Sequence, residues 1–249
     1  MLWMYADPAC VPEKIGSIRS ARHYYIQIAQ GYDAIFVHWG GSPYAYAAIS
    51  ENNIDDLDGM SSGKYFKRDK TLGRALEHTG YTGGELINAG IAAKEFRTQI
   101  GEAYTHPFDF AAQRRSLPGG ICQTLRASFS ADYSYTYRYN ETDGLYYSYL
   151  NDSAFTDSEG VQQSFTNVIF IYAPVSSLDD AKARVTVNFD GGSGIYASNG
   201  SYESISWAKG GDTDLLRFTA SDGSALQLNP GRTYIGIIPT GRESYTMVE

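Results

Sequence analysis

The sequence predicts an α+β chain: a mixed α/β layered N-terminal domain over residues 1–119, then a β-rich C-terminal domain over residues 120–249. Three observations carry that reading. Charge divides unevenly, with 12 Lys/Arg against 13 Asp/Glu up to residue 119 and 8 against 15 beyond it, so the second part holds most of the net −8. A strand–glycine turn–helix pattern runs through residues 33–49, as in an α/β layer. Four tyrosines alternate with polar residues between Tyr133 and Tyr139, which is the period of a strand with one aromatic face. The turn-forming run Leu117-Pro118-Gly119-Gly120 marks the join, and His23, His38, His78 and His106 all precede it.

In chain order, residues 17–30 are predicted helical with Ile26 and Ala29 inward. Residues 33–38 read as a short buried strand, broken by Trp39-Gly40-Gly41. Ser42-Pro43 then opens a helix over 44–49, because a serine hydroxyl caps free N–H groups and proline's fixed φ suits the first helical position. Thr82-Gly83-Gly84-Glu85 has the capping-box spacing, and Leu86, Ile87, Ile91 and Phe96 extend an amphipathic stripe to about Ile100. Beyond the join, the tyrosine strand turns at residues 140–144 and returns over 145–150. Further strands are expected at 165–172, 184–189, 215–220 and 233–238, separated by Gly/Asn/Asp turns. The tyrosine face is expected to be core, because large aromatics dominate burial, although it could also stack on sugars or a partner.

Composition narrows the function classes. With 43% hydrophobic and 19% charged residues the chain is not disordered. Its acidic balance argues against nucleic acid as a partner. Two cysteines exclude a disulfide scaffold, and Cys10 and Cys122 are read as separate thiols. No apolar run approaches the roughly 18–20 residues that span a bilayer, and the first residues, ending their apolar stretch at Asp7, do not make a signal peptide. The sequence carries no G-x-S-x-G elbow, P-loop, H-E-x-x-H or dinucleotide glycine motif, so neither a metal nor a cofactor is expected.

Two stretches have the chemistry of an anion site. In Gly16-Ser17-Ile18-Arg19-Ser20-Ala21-Arg22-His23, Arg19 and Arg22 are spaced to share a helix face, and guanidinium forks hold carboxylates and phosphates. In Val37-His38-Trp39-Gly40-Gly41-Ser42-Pro43, a strand ends at His38, and Gly40, Gly41 and Ser42 lead to a helix N-terminus, where free N–H groups and the dipole favour an anion. Arg68 in Phe66-Lys67-Arg68-Asp69-Lys70 adds charge at the rim. The structural reading stands beside this one: Arg19 and Arg22 pair with Asp33, Asp69 or Glu77, the glycines make a tight turn, and His38 is a satisfied buried histidine.

The run Lys14-Ile15-Gly16-Ser17-Ile18-Arg19-Ser20-Ala21-Arg22 followed by His38-Trp39-Gly40-Gly41-Ser42-Pro43 resembles the YerB-like family of bacterial envelope lipoproteins. Phe66-Lys67-Arg68-Asp69, Asn167-Val168-Ile169, Trp207-Ala208-Lys209 and Asn229-Pro230-Gly231-Arg232-Thr233-Tyr234-Ile235 extend the resemblance over nearly the whole chain. It implies a mixed α/β domain and a β-rich domain on a protein anchored outside the cytoplasmic membrane, and it implies no reaction. Members carry a signal peptide, a lipid-attachment cysteine and an earlier stretch of the first domain, which the expectation takes this chain to lack; the membrane enters only through that anchor. The function expected is an extracytoplasmic binding protein. Its ligand would be a wall glycan, a phosphorylated precursor or an anionic wall polymer, held by Arg19, Arg22, His38, Gly40, Gly41, Ser42 and Arg68. The alternatives are a scaffold for an envelope protein partner, or a hydrolase or transferase with His38 as base.

Overall fold

The computed structural model describes residues 1–102, 104, 108–130, 132–178 and 181–249; His106 lies outside the described residues. The chain is an α+β protein whose contacts divide into two units, Met1–Thr105 with Gly211–Leu215, and His106–Gly210 with Leu216–Glu249. The turn cluster at 117–120 falls within the second unit. There the Arg115 amide donates to Asn229 Oδ1, that of Leu117 to Ser201 Oγ and that of Gly119 to Tyr202 O.

The first unit is built on two short parallel strands, β1 (Phe36–His38) and β2 (Asp56–Asp58), in the register Phe36–Asp56, Val37–Leu57 and His38–Asp58. Helix α1 (His23–Gly31) precedes β1, and α2 (Pro43–Glu51) makes the crossover to β2. Alternation sends Phe36 to one face, packed with Ile26, Ala29 and Ala45 of α1 and α2. Val37 and Leu57 point to the other, with Tyr65, Phe66, Trp39 and Leu86 of α3 (Gly84–Ala93). This is the layered arrangement the strand–turn–helix pattern predicts. Ser42 caps α2 as expected, its hydroxyl accepting from Ala45 N at 3.1 Å with Pro43 at the first helical position.

Three local expectations fail. Residues 17–22 are extended rather than helical, because their backbone groups are taken by other segments. Ile18 N donates to Gly80 O, Ala21 N to Gly40 O, and Arg19 O accepts from Trp39 N. The helix starts only at His23, so Arg19 and Arg22 share no helix face. The capping box also fails: Thr82 Oγ1 donates to Tyr65 O instead, and Gly83 is the N-cap without a side-chain bond. Gly83 and Gly84 serve close approach, since a Cβ on Gly83 would collide with Glu13 O where residues 11–13 cross the helix start. The helix ends at Ala93, not near Ile100.

The second unit stacks two sheets. One runs β5 (Leu145–Leu150), β4 (Tyr133–Asn140), β3 (Thr124–Ser130) and β11 (Thr246–Val248), with short strands beside β5. The other runs β9 (Arg217–Thr219), β8 (Ser201–Ala208), β7 (Gly192–Ser198), β6 (Asn167–Ala173) and β10 (Thr233–Pro239), with β6 and β10 parallel. Tyr135, Tyr137 and Tyr146 from the first sheet meet Val168, Phe170 and Tyr172 from the second in one core, so the tyrosine face is inward, while Tyr133 is exposed. Every position of β6 is buried, as a strand covered on both faces requires. The β7–β8 hairpin turns at Asn199-Gly200, both at positive φ, a pair suited to a tight hairpin turn.

A closed polar network pins the parallel β6–β10 pair. Tyr196 Oη donates to Asn167 Oδ1 at 2.8 Å and accepts from Asn229 N at 2.9 Å. Asn167 Nδ2 donates to Asn229 O and to Thr233 Oγ1, and Asn229 Nδ2 to Ser198 Oγ and Arg115 O. Tyr196→Phe strands the Asn229 amide and Asn167 Oδ1 without partners in the interior and is expected to cost about 2 kcal/mol. Urea unfolding of the second unit measures this; an unchanged midpoint would refute the structural role.

Candidate functional site

The expected anion site forms where β1 ends, and an internal carboxylate occupies it. Asp58, at the end of β2, lies beside His38 through the parallel register. Its Oδ1 accepts from Gly40 N at 2.7 Å and from Met60 N at 2.9 Å, and its Oδ2 accepts from Tyr46 Oη at 2.9 Å. Gly40 has φ +73, a left-handed conformation that turns its N–H toward the carboxylate. Of the backbone donors read from the sequence as a ligand cradle, the Gly40 amide therefore serves the protein's own Asp58.

His38 is buried to 1% exposure and has both ring nitrogens engaged. Nδ1 donates to Gly40 O at 2.9 Å, and Nε2 donates to Asp56 Oδ2 at 3.0 Å; Asp58 Oδ1 is 3.8 Å from Nδ1. A carbonyl and a carboxylate are both acceptors, so this geometry suits the imidazolium form, in which both ring nitrogens donate and neither has a lone pair for a substrate proton. Burial pushes its pKa down, but the bonds to Asp56 and Gly40 and the two carboxylate charges outweigh that, and the value lies above the ordinary 6.5. Burial pushes Asp58 up, yet the Met60 and Gly40 amides, the Tyr46 hydroxyl and His38 hold it below 3.8.

The remaining candidates spread around this centre. Ser42 spends its hydroxyl on the α2 cap and its amide on Ala21 O, and Gly41 bridges to Ala21. Arg19 Nη2 donates to Glu77 Oε1 at 3.3 Å and its Nη1 reaches His78 Nδ1 at 2.6 Å. Of the partners the sequence offered, Glu77 is thus the one Arg19 takes, while Asp69 pairs with Lys14 and Asp33 with Arg97. Arg68 stacks over Trp39 with its guanidinium carbon 4.0 Å from the ring centre, and donates to Leu76 O at 2.6 Å. Arg22 donates to Ser20 O at 3.3 Å and to Ala21 O at 2.9 Å, with no carboxylate in ion-pair range among the described residues. The structure brings the 19–22 segment alongside His38–Ser42 and joins Arg68 to it through Trp39.

Sequence reasoning missed Asp56, Asp58 and Tyr46. The signal was present in Asp55-Asp56-Leu57-Asp58, where one apolar residue sits among carboxylates just after a crossover helix. Among the described residues no cluster of three His, Cys, Asp or Glu could hold a metal ion, and no helix is long and apolar enough to cross a membrane. Cys10 is exposed and Cys122 buried, each a free thiol; burial pushes Cys122 up to about 11.

Fold and site together define an α+β protein of an α/β layer and a β-sandwich, with a polar centre neutralised from within. The chain belongs to the family described as Protein of unknown function (DUF3048), whose N-terminal domain matches residues 2–97 and whose C-terminal domain matches residues 125–235. It is 25% identical over 241 residues to the Bacillus subtilis (strain 168) protein named "Putative lipoprotein YerB", covering 92% of this chain and 68% of that one. The crystal structure of YerB from Bacillus subtilis superposes with a TM-score of 0.81 at 23% identity, over 96% of this chain and 78% of that one, and shows the same fold.

Stability of the first unit follows from the two shifted groups. His38 has a raised folded pKa, so its contribution is complete below about 6.5 and is lost as pH rises through the folded value. Asp58 has a depressed folded pKa, so its contribution is complete above about 3.8 and is lost as pH falls through the folded value. Amide hydrogen exchange in β1 and β2 is expected to be slowest, after correction for intrinsic rates, between those limits; protection that keeps rising into alkaline pH would contradict it. Asp58→Asn removes the charge opposite a buried imidazolium and is expected to destabilise the unit by about 3 kcal/mol. Denaturant titration of the variant checks the size of that loss.

Proposed function

We propose that this chain is an extracytoplasmic binding protein of the bacterial cell envelope, whose first unit holds an anionic group of a wall glycan, a phosphorylated precursor or a wall polymer. The observation that carries this reading is Arg22. Its guanidinium is fixed by two backbone carbonyls, which orient it without neutralising it, and its remaining N–H donors are free of any carboxylate among the described residues. Arg19 and His78 add donors on the same unit, both with half-exposed side chains. The lipoprotein name of the Bacillus relative supports the compartment in this reading. A hydrolytic or transfer reaction with His38 as base is disfavoured by the engagement of both ring nitrogens.

The test is a thermal-shift screen of the chain with wall glycans, their phosphorylated precursors and simple anions, followed by calorimetry. A ligand that binds only the folded form raises the melting temperature by mass action. Arg22→Ala is expected to weaken the hit by about tenfold, the loss of a charge-assisted pair, with folding unchanged. Equal affinity of variant and wild type would refute the site. An absence of any shift would move the reading to a protein partner.

A further inference from the structure

A second concavity in the first unit has the opposite polarity. It lies between α1 and α2, with a volume of about 290 Å³, and contains no Lys or Arg among its described lining residues. At one end His23 and the exposed ring of Tyr44 meet edge to face, 6.1 Å apart between centres. The walls beyond them are acceptor-rich. Gln27 donates its Nε2 to Asp212 Oδ1 at 3.2 Å, which fixes its amide orientation because a carboxylate accepts only. Its Oε1 is shielded from solvent and without a hydrogen-bond partner among the described residues, and so is Oε1 of Gln30. Asn52 likewise gives its Nδ2 to Ala48 O at 2.9 Å, leaving the oxygen as its available group.

The helix ends point the same way. Glu51 is the last residue of α2, where the dipole is already negative and a cation is the stabilising choice. Neither α1 nor α2 carries a basic residue in its last turn. Burial pushes the His23 imidazole below its ordinary value, so the lining is not positively charged at neutral pH. The Asn52 side-chain oxygen, a carboxylate at the negative end of a helix and an exposed aromatic face form a complement to a cation with several N–H donors.

We propose that the groove between α1 and α2 binds an organic ammonium group, such as the free amine of an amino sugar. The amine supplies the charge missing at the end of α2, beside the Glu51 carboxylate and the Asn52 side-chain oxygen, with the rest of the ligand against Tyr44. The inference is independent of the anion reading, because Arg22 does not line the groove.

Calorimetry with glucosamine and N-acetylglucosamine near neutral pH tests it on the full chain. Glucosamine is expected to bind saturably and at least about fivefold more tightly than the acetylated sugar, with affinity falling as salt is added. Glu51→Gln, an exposed change that leaves the core untouched, is expected to weaken glucosamine by roughly three- to fivefold. Arg22→Ala is expected to leave glucosamine binding unchanged, which separates this site from the anion site. Tighter binding of lysine amide, with the same dependence on Glu51, would support the groove with a peptide amine as its source. No glucosamine binding, equal binding of the two sugars, or indifference to Glu51→Gln would overturn the proposal.

Discussion

The carboxylate of Asp58 is the constraint around which the first unit is arranged. It gathers the Gly40 and Met60 amides and the Tyr46 hydroxyl, and it stands opposite the His38 imidazolium. Each of those groups belongs to a different feature: the turn after β1, the turn after β2, the α2 helix and β1 itself. One side chain therefore sets the register of the strand pair, the left-handed turn at Gly40 and the seating of α2. A buried charge on this scale is tolerated only because its donors are complete and its counter-ion is adjacent. The 19–22 segment depends on that turn in its own way, since Ala21 bonds to Gly40 O and Ser42 N, alongside them.

The second unit solves a similar problem without charge. A parallel pair such as β6–β10 needs a long return connection, and the segment leading into β10 would bring unpaired polar groups into the interior. Tyr196, Asn167, Asn229 and Ser198 satisfy those groups in one connected network. Gly231, at φ +143, lies in the same return, where any Cβ would collide with the Thr166 side chain. The residues that carry the family resemblance here, from Asn229 to Ile235, are thus explained by closure of the sandwich rather than by exposed chemistry.

This division bears on function. The most recognisable residues of the family motifs, His38, Gly40, Ser42 and Asn229, are committed to internal bonds. What the first unit offers outward is less conspicuous in sequence: an oriented guanidinium at Arg22 and an acceptor-lined groove between two helices. Recognition of a charged group needs orientation and desolvation more than it needs reactive side chains.

Local rules were legible in the chain. Ser42-Pro43 begins a helix, the tyrosine alternation makes a buried strand face, and the apolar run after Asn167 is a strand covered on both sides, each because the cause lies within a few residues. The hairpin at Asn199-Gly200 is equally local in its cause. What the chain alone left open was which distant group would claim each backbone donor. Residues 17–22 carry no local bar to a helix, yet Gly80 and the turn at 39–42 take their hydrogen bonds. The glycine turn has the local chemistry of an anion site, but that Asp58, eighteen positions beyond Gly40, takes the Gly40 amide is decided by strand pairing. Periodicity and capping are properties of neighbouring residues, whereas competition for a buried charge is decided only when the strands meet.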